Sequence, residues 1–199
     1  MKAKDFESHC LRYFDTTKRA GTATAGRYGV MASLLDGKWQ PRASLPDIEG
    51  ILAGGRQFIF DCKVCSQSSQ RIDQDAWGSM RGRQISHMLD RSDLGAICFL
   101  LVHFNPRELK TRTDPEETFA VQVHRKVDLW SEFGTQQRKS ISREWCRIYL
   151  PVSCRVAWEL PSSRAKIPRP ILLPAIRFMG KFHDERLQRP ETSDLGSTD

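Results

Sequence analysis

The sequence predicts an α/β fold in which a central mixed β-sheet is flanked by helices. Amphipathic helical segments alternate along the chain with short apolar strands, which is typical of this class. Residues 96–104 are almost continuously apolar, as expected of a central strand that is covered on both faces. A chain of 199 residues suits one domain with a hydrophobic core. We predict that domain over residues 1–160, followed by a Pro-rich, extended or disordered tail over 161–199.

The first half of the chain predicts a helix followed by strands. Apolar side chains recur at helical spacing over 3–19, so this segment predicts an amphipathic helix. Residues 22–45 predict one strand near 28–35 and a basic loop after it. The Gly54-Gly55 pair allows a tight turn, which predicts a hairpin with strands near 47–53 and 57–64.

The second half predicts alternating helices and strands. A helix from 78 or 79 to 91 precedes the apolar strand, and residues 118–123 are expected to pair with that strand. Further helices are expected around 124–133 and 140–147, with Ser140 or Ser142 as the N-cap of the second.

The charge balance indicates a polyanionic partner. The net charge is +7 and the pI is about 9.3, and residues 184–199 are net acidic, so the basic excess lies in the rest of the chain. Nucleic acid is the first candidate for a domain this basic. No apolar run is long enough to span a membrane and the N-terminus lacks a signal core, so we expect a cytoplasmic protein without membrane contact. The scattered cysteines favour free buried thiols, and Cys62-x-x-Cys65 alone does not complete a zinc site.

Two carboxylates and a lysine are spaced as a metal-dependent nuclease requires. Asp61 and Lys63 are two residues apart on one strand and therefore share a face. The hairpin would bring Asp47, which follows Pro46, next to Asp61. Carboxylate oxygens are the ligands that Mg²⁺ prefers, which favours a metal site here. The alternative interpretation is a turn aspartate beside a solvated ion pair.

The order of these motifs resembles a known superfamily. An acidic residue in a first helix, Pro46-Asp47, Asp61-Cys62-Lys63, a helix with Gln84 and an apolar strand resemble the PD-(D/E)xK nucleases, whose core is restriction-endonuclease-like. The segments 47–50, 83–88, 95–100 and 138–141 narrow the resemblance to the RecU-type Holliday junction resolvases, over about residues 3–150. This chain departs from that family in two respects: it has Asp61 where Glu is common, and the linker from Asp47 is one residue longer.

The resemblance implies an activity and a set of site residues. It implies a Mg²⁺-dependent, structure-selective endodeoxyribonuclease that resolves four-way DNA junctions in recombination and repair, with Mn²⁺ as a substitute metal. The implied catalytic residues are Asp47, Asp61, Lys63, Gln84 and Glu7. The implied metal ligands are Asp47, Asp61, the Cys62 carbonyl and Glu7. The residues 1–160 would then form a nuclease domain.

The resemblance also implies partners. The expected DNA contacts come from basic side chains and one stacking aromatic, which are Arg27, Lys38, Trp39, Arg42, Arg56, Arg83, Arg138 and Lys139. Paired nicking of opposed strands implies a homodimer, and a recombinase or branch-migration helicase is an expected partner in a bacterial or phage-like setting. Two alternatives stay open: a restriction-like or repair endonuclease on duplex or flap DNA, and a non-catalytic junction-binding recombination factor.

Overall fold

The computed structural model describes residues 1–28, 32–35, 38–41, 46–71, 80–111, 113–127, 130, 140–159 and 169–188. The helices over these residues are α1 Ala3–Arg19, α2 Met80–Asp93, α3 Arg143–Tyr149 and α4 Leu173–Gln188, with a short 3-10 helix at Val152–Cys154. The strands are β1 Ala23–Arg27, β2 Ala32–Leu35, β3 Lys38–Pro41, β4 Ile48–Leu52, β5 Gln57–Cys65, β6 Ser69–Arg71, β7 Ile97–Phe104, β8 Arg107–Glu108, β9 Thr113–Asp114, β10 Glu117–Gln122, β11 Ser140–Ser142, β12 Trp158–Glu159 and β13 Arg169–Pro170.

A five-stranded mixed sheet forms the centre of the protein, in the order β1-β4-β5-β7-β10. Strands β5 and β7 run parallel, and the other neighbouring pairs run antiparallel. The parallel pair requires a crossover connection, which contains α2. The prediction of a central mixed sheet flanked by helices is therefore confirmed. Smaller two-stranded sheets join β2 to β3, β6 to β11, β8 to β9 and β12 to β13.

Each face of the sheet buries its own hydrophobic cluster. One cluster joins Phe6, Cys10 and Phe14 of α1 to alternate residues of β5, including Cys62, and to α4. The other cluster joins residues of α2 to the remaining face of β5, which includes Cys65. Strand β7 is buried along its whole length, which explains its continuous apolar sequence.

The local sequence pattern located most of the central elements. The helix over 3–19 is observed with those bounds, and α2, the β4–β5 hairpin, β7 and β10 lie within a few residues of their predicted positions. Ser142 is the N-cap of α3, because its side chain accepts a hydrogen bond from the Trp145 N–H at 3.0 Å. Ser140 instead lies in β11.

Three predictions need correction or fall outside the described residues. Strand β1, with the sequence Ala-Thr-Ala-Gly-Arg, lacks an alternating apolar pattern and becomes a strand through its antiparallel pairing with β4. Of the helix predicted over 124–133, residues 125–127 lie in a turn and Trp130 is helical, while 128–129 and 131–133 lie outside the described residues. Of the strand predicted near 28–35, β2 occupies Ala32–Leu35, and 29–31 lie outside the described residues.

Helix α4 replaces part of the predicted tail. Residues 161–168 and 189–199 lie outside the described residues, but the segment 173–188 is a helix and not an extended chain. Pro174 is compatible with this helix because it lies in the first turn, where its missing N–H removes no intrahelical bond. Ile176 and Met179 are buried against the sheet together with α1, which stabilises the helix through tertiary packing. Among the described residues, no helix is long and apolar enough to span a membrane.

His103 makes the fold sensitive to acid. Its side chain is fully buried in β7, and its Nδ1 lies 2.9 Å from the Thr118 hydroxyl. Burial lowers the pKa of His103 from 6.5 to about 4, and the positive N-terminus acts in the same direction. Between those pH values the unfolded chain binds a proton that the folded chain does not bind. The contribution of His103 to the free energy of unfolding is therefore expected to fall by about 2–3 kcal/mol as the pH drops from 6.5 to 4.

Urea unfolding of wild type and His103→Leu at several pH values tests this expectation. The stability of the variant relative to wild type should rise by about 2–3 kcal/mol as the pH drops from 6.5 to 4, because leucine has no proton to gain. An equal slope in the two proteins would show that His103 is not the group responsible.

Candidate active site

Asp47 is held in place by two backbone hydrogen bonds. It directly precedes β4, and its Oδ2 accepts a hydrogen bond from the Cys62 N–H at 2.7 Å. Its backbone carbonyl accepts from the Tyr28 N–H at 3.0 Å. Because Ile48 pairs with Phe60 in the β4–β5 ladder, Asp47 lies across from Asp61. The predicted convergence of these two aspartates is therefore observed.

Asp61, Lys63 and Gln84 form the next part of the site. The side chains of Asp61 and Lys63 lie on the face of β5 that α2 covers, and they form an ion pair. The Lys63 ammonium also donates to Oε1 of Gln84 on α2 at 3.4 Å. Lysine and glutamine thus lie in one polar cluster with the two aspartates.

Asp61 carries its charge in an unfavourable environment. Its side chain is only 1% exposed, and burial is the main reason that the pKa of Asp61 is raised to about 7. The nearby Asp47 raises the pKa further, whereas the Lys63 ammonium opposes the shift. Within the described residues, neither carboxylate oxygen accepts a hydrogen bond of good geometry. A second cation would therefore be favoured at this carboxylate.

Glu7 lies at the edge of the same site. Its carboxylate, which is 18% exposed, accepts a hydrogen bond from the Arg27 guanidinium at 2.9 Å. Burial and the charge of Asp47 raise the pKa of Glu7, while Arg27 and Lys63 lower it. The five residues predicted as catalytic therefore lie in one region. Glu7 interacts with Asp47 and Lys63 through their charges, and its described hydrogen bond is to Arg27.

The residues present fit a magnesium ion that is completed by other ligands. Among the described residues, no three His, Cys, Asp or Glu side chains are arranged as a cage for a metal. Mg²⁺ does not require such a cage, because it is usually bound by one or two carboxylates together with waters and substrate phosphates. Asp47 and the poorly satisfied oxygens of Asp61 are two such carboxylates.

Cys62 contributes a backbone group to the site. Its N–H orients Asp47, while its side chain faces the opposite side of the sheet, toward Cys10. The role of its carbonyl as a ligand stays a prediction. Cys62 and Cys65 belong to hydrophobic clusters on opposite faces of the sheet, so their side chains point apart.

The predicted DNA-contact residues lie in several places. Arg27 is at the catalytic region. Arg56 lies in the turn before β5, where it donates to the carbonyls of Gly95 and Gly180 and to the carboxylate of Asp184. Arg56 therefore connects α4 to the turn before β5, five residues before Asp61. Lys38 and Trp39 are in β3 and Arg83 is in α2, whereas Arg42, Arg138 and Lys139 lie outside the described residues.

Sequence reasoning missed the contact between Tyr28 and His87. The Tyr28 hydroxyl lies 3.1 Å from Nε2 of His87, and the two rings meet edge to face. The backbone of Tyr28 bonds to Asp47, and His87 is one turn after Gln84 on α2. Through the backbone of Tyr28, this pair therefore connects the segment that carries Asp47 to helix α2, which carries Gln84. The residues are 59 positions apart, so no local pattern could have indicated their contact.

One family model matches the part of the chain that contains most of this site. The family model described as RecU, Recombination protein U, matches residues 38–155, a range that contains Asp47, Asp61, Lys63 and Gln84. None of the curated proteins matches the chain. Among 14 matching solved chains is the 1.6 Å structure of Archaeoglobus fulgidus Hjc, a Holliday junction resolvase from an archaeal hyperthermophile. It is 14% identical, with a TM-score of 0.41, and the match covers 77% of this chain and 93% of that chain.

Proposed function

The chain belongs to the Recombination protein U family, whose model matches more than half of it, and on that premise we propose that it is a metal-dependent endodeoxyribonuclease that resolves four-way (Holliday) DNA junctions. The observation that carries the proposal is the cluster of Asp47, Asp61, Lys63 and Gln84. Two carboxylates converge there beside a lysine, within the residues that the family model matches.

Asp47 and Asp61 would hold Mg²⁺, or Mn²⁺ as a substitute, with Glu7 available for a second ion or its water. When bound, the metal would supply an acidified water and would offset negative charge on the phosphate. The Cys62 N–H keeps one oxygen of Asp47 in place, and strand pairing keeps Asp61 opposite it. The acidic side chains are therefore held in position before substrate arrives, which reduces the reorganisation that cleavage requires.

Lys63 would act on the phosphate or on the attacking water. Its ammonium lies between the Asp61 carboxylate and the Gln84 amide oxygen, so both acceptors restrict its position. A positive charge held there would stabilise the negative charge that develops in the transition state. Gln84 would serve as a positioning residue for Lys63, and His87 with Tyr28 would fix the helix that carries it.

The composition supports a branched DNA substrate and a two-fold assembly. The basic excess of the chain favours phosphate contacts. Resolution of a junction requires two opposed nicks, and a homodimer with two-fold symmetry would provide two such sites. A recombinase or branch-migration helicase would be a natural partner for this reaction.

A cleavage assay with three substrates tests the proposal. Wild-type protein is incubated with an end-labelled synthetic four-way junction, a duplex of matched sequence or a flap, each with Mg²⁺, Mn²⁺ or EDTA. Paired nicks at symmetric positions are expected on the junction alone, with no products in EDTA. Sedimentation of the protein before the reaction checks the expected dimer.

The alternatives predict different products. Equal cutting of the duplex or the flap would indicate a restriction-like or repair endonuclease. Binding of the junction without cleavage in either metal would overturn the enzymatic proposal and would indicate a non-catalytic recombination factor.

A further inference from the structure

An ion pair at the edge of the site lies outside the residues that the family model matches. Glu7 of α1 and Arg27 of β1 are joined at 2.9 Å, whereas the matched range begins at residue 38. The match to the family model therefore does not include this pair. Its two members differ in exposure: the Arg27 side chain is 54% exposed and the Glu7 side chain is 18% exposed.

Both members of the pair are fixed next to the catalytic acids. Arg27 is the last residue of β1 and pairs with Ile48, the residue after Asp47. On α1, Cys10 lies one turn after Glu7 and packs in the same cluster as Cys62 of β5. This packing places α1 against the segment of β5 that holds Asp61 and Lys63, on the face opposite to their side chains. The charges of Asp47 and Lys63 nevertheless act on Glu7, so its carboxylate lies at the edge of the site.

Arg27 offsets a repulsion that the site would otherwise contain. Glu7 is partly buried near the negative Asp47, an arrangement that is unfavourable for two carboxylates without a cation. A guanidinium stays charged at all physiological pH values, so the pair is not lost by deprotonation of Arg27. A divalent ion that approaches Asp47 and Glu7 would compete with Arg27 for the same carboxylate.

We propose that Arg27 is an exchangeable counter-ion: it neutralises Glu7 until a divalent cation binds, and the released guanidinium then contacts a phosphate of the DNA. This inference rests on the proposed function for the identity of the anion that Arg27 meets. Guanidinium groups suit this role because their planar donors match either a carboxylate or a phosphate. The high exposure of Arg27 leaves it accessible to a polyanion.

Binding of Mn²⁺ to the metal-free, full-length protein without DNA tests the first half. Free Mn²⁺ is followed by electron paramagnetic resonance for wild type, Arg27→Gln, Glu7→Gln and the double variant. Arg27→Gln removes the competing guanidinium and should therefore tighten Mn²⁺ binding roughly 2- to 5-fold. This factor corresponds to the free energy that a partly exposed ion pair contributes. Glu7→Gln should weaken Mn²⁺ binding, and in that background Arg27→Gln should have no further effect.

Junction binding tests the second half. The affinity of a labelled four-way junction is measured by fluorescence anisotropy in EDTA and in Ca²⁺. Arg27→Gln should lower the affinity clearly in Ca²⁺ and much less in EDTA, because in EDTA the wild-type guanidinium is held by Glu7. Arg27→Lys, which keeps the charge but not the fork of donors, should lie between the two proteins.

Arg125 provides a matched control. Its side chain is 56% exposed and pairs with Asp90 and Asp93 at the far end of α2 from Gln84. Arg125→Gln should leave Mn²⁺ affinity unchanged and should alter junction affinity equally in EDTA and Ca²⁺. Thermal melting of each variant verifies that it is folded.

The outcomes separate this inference from the proposed function. Unchanged or weaker Mn²⁺ binding by Arg27→Gln would overturn the inference, even if the wild type resolves junctions. Tighter Mn²⁺ binding that depends on Glu7 would support the inference, even if the wild type cuts no DNA. An effect of Arg27→Gln on junction affinity that is equal in EDTA and Ca²⁺ would contradict the exchange.

Discussion

Asp61→Asn is expected to lower the rate of junction cleavage at least about 10³-fold while it stabilises the metal-free protein above pH 7. The loss of activity follows from the loss of a charged carboxylate beside Lys63 that, in the proposed function, would bind the metal. The gain in stability follows from the raised pKa of Asp61. The pKa of Asp61 is about 7 in the folded protein, against an ordinary value of 3.8. As the pH rises between these values, the unfolded chain ionises this group more readily than the folded protein does, so the folded protein loses stability. Asparagine does not ionise and avoids that cost.

Two measurements check these opposite effects. Single-turnover cleavage in Mg²⁺ gives the rate, and urea unfolding in EDTA at pH 5 and pH 8 gives the stability. The stability advantage of the variant over wild type should grow by about 2–3 kcal/mol between pH 5 and pH 8. Asp90→Asn is the control, because this exposed acid at the end of α2 should change neither quantity. Retention of cleavage by Asp61→Asn would exclude Asp61 from the catalytic site.

Gly50→Ala is expected to destabilise the protein by about 3 kcal/mol. A Cβ at this position in β4 would lie 2.4 Å from the Thr24 carbonyl oxygen and 2.2 Å from the Phe58 ring. The carbonyl belongs to the backbone of the neighbouring strand, so it can move only if the β1–β4 pairing changes. The same movement would shift Asp47, and cleavage should therefore fall as well.

Gly26→Ala is a matched control for this prediction. Gly26 lies in β1 and pairs with Glu49, next to Gly50 in the same ladder, but a Cβ there would meet nothing within 4 Å. The control should therefore melt close to the wild type. Thermal denaturation of both variants gives the comparison. Similar stability of the two alanine variants would show that the close approach at Gly50 is relieved at little cost.

Local sequence pattern was sufficient for the strand that carries the site. The alternation of β5 places Asp61 and Lys63 on one face, and the short turn before it brings Asp47 close, so both features could be predicted from residues near each other in sequence. The place of Gln84 in the site could be predicted only from the family resemblance, because its contact with Lys63 depends on how α2 packs against the sheet. The pairs Glu7–Arg27 and Tyr28–His87 depend on the unpredicted strand β1, whose pairing with β4 determines where Arg27 and Tyr28 lie.

Helix α4 shows a second limit of prediction from the local sequence pattern. Prolines around 161–174 indicated an extended tail, yet Pro174 lies in the first turn of a helix whose apolar side chains pack in one cluster with those of α1 and the sheet. The stabilising contacts come from the far end of the chain, so a local pattern does not contain them. Arg56 illustrates the same point: its charge predicted DNA contact, whereas its described hydrogen bonds reach α4. Its predicted contact with DNA has not been tested.

The site residues lie on strands whose backbones differ in how easily they open. Asp61 and Lys63 are on β5, which is paired on both sides by β4 and β7, so their backbone can be released only when the core opens. Arg27 ends β1, the outer strand of this sheet in the described part of the chain, where local opening costs less free energy. Asp61 is thus expected to lie in a slowly exchanging part of the protein, and Arg27, the cation that would leave the site, is expected to lie where local opening is more frequent.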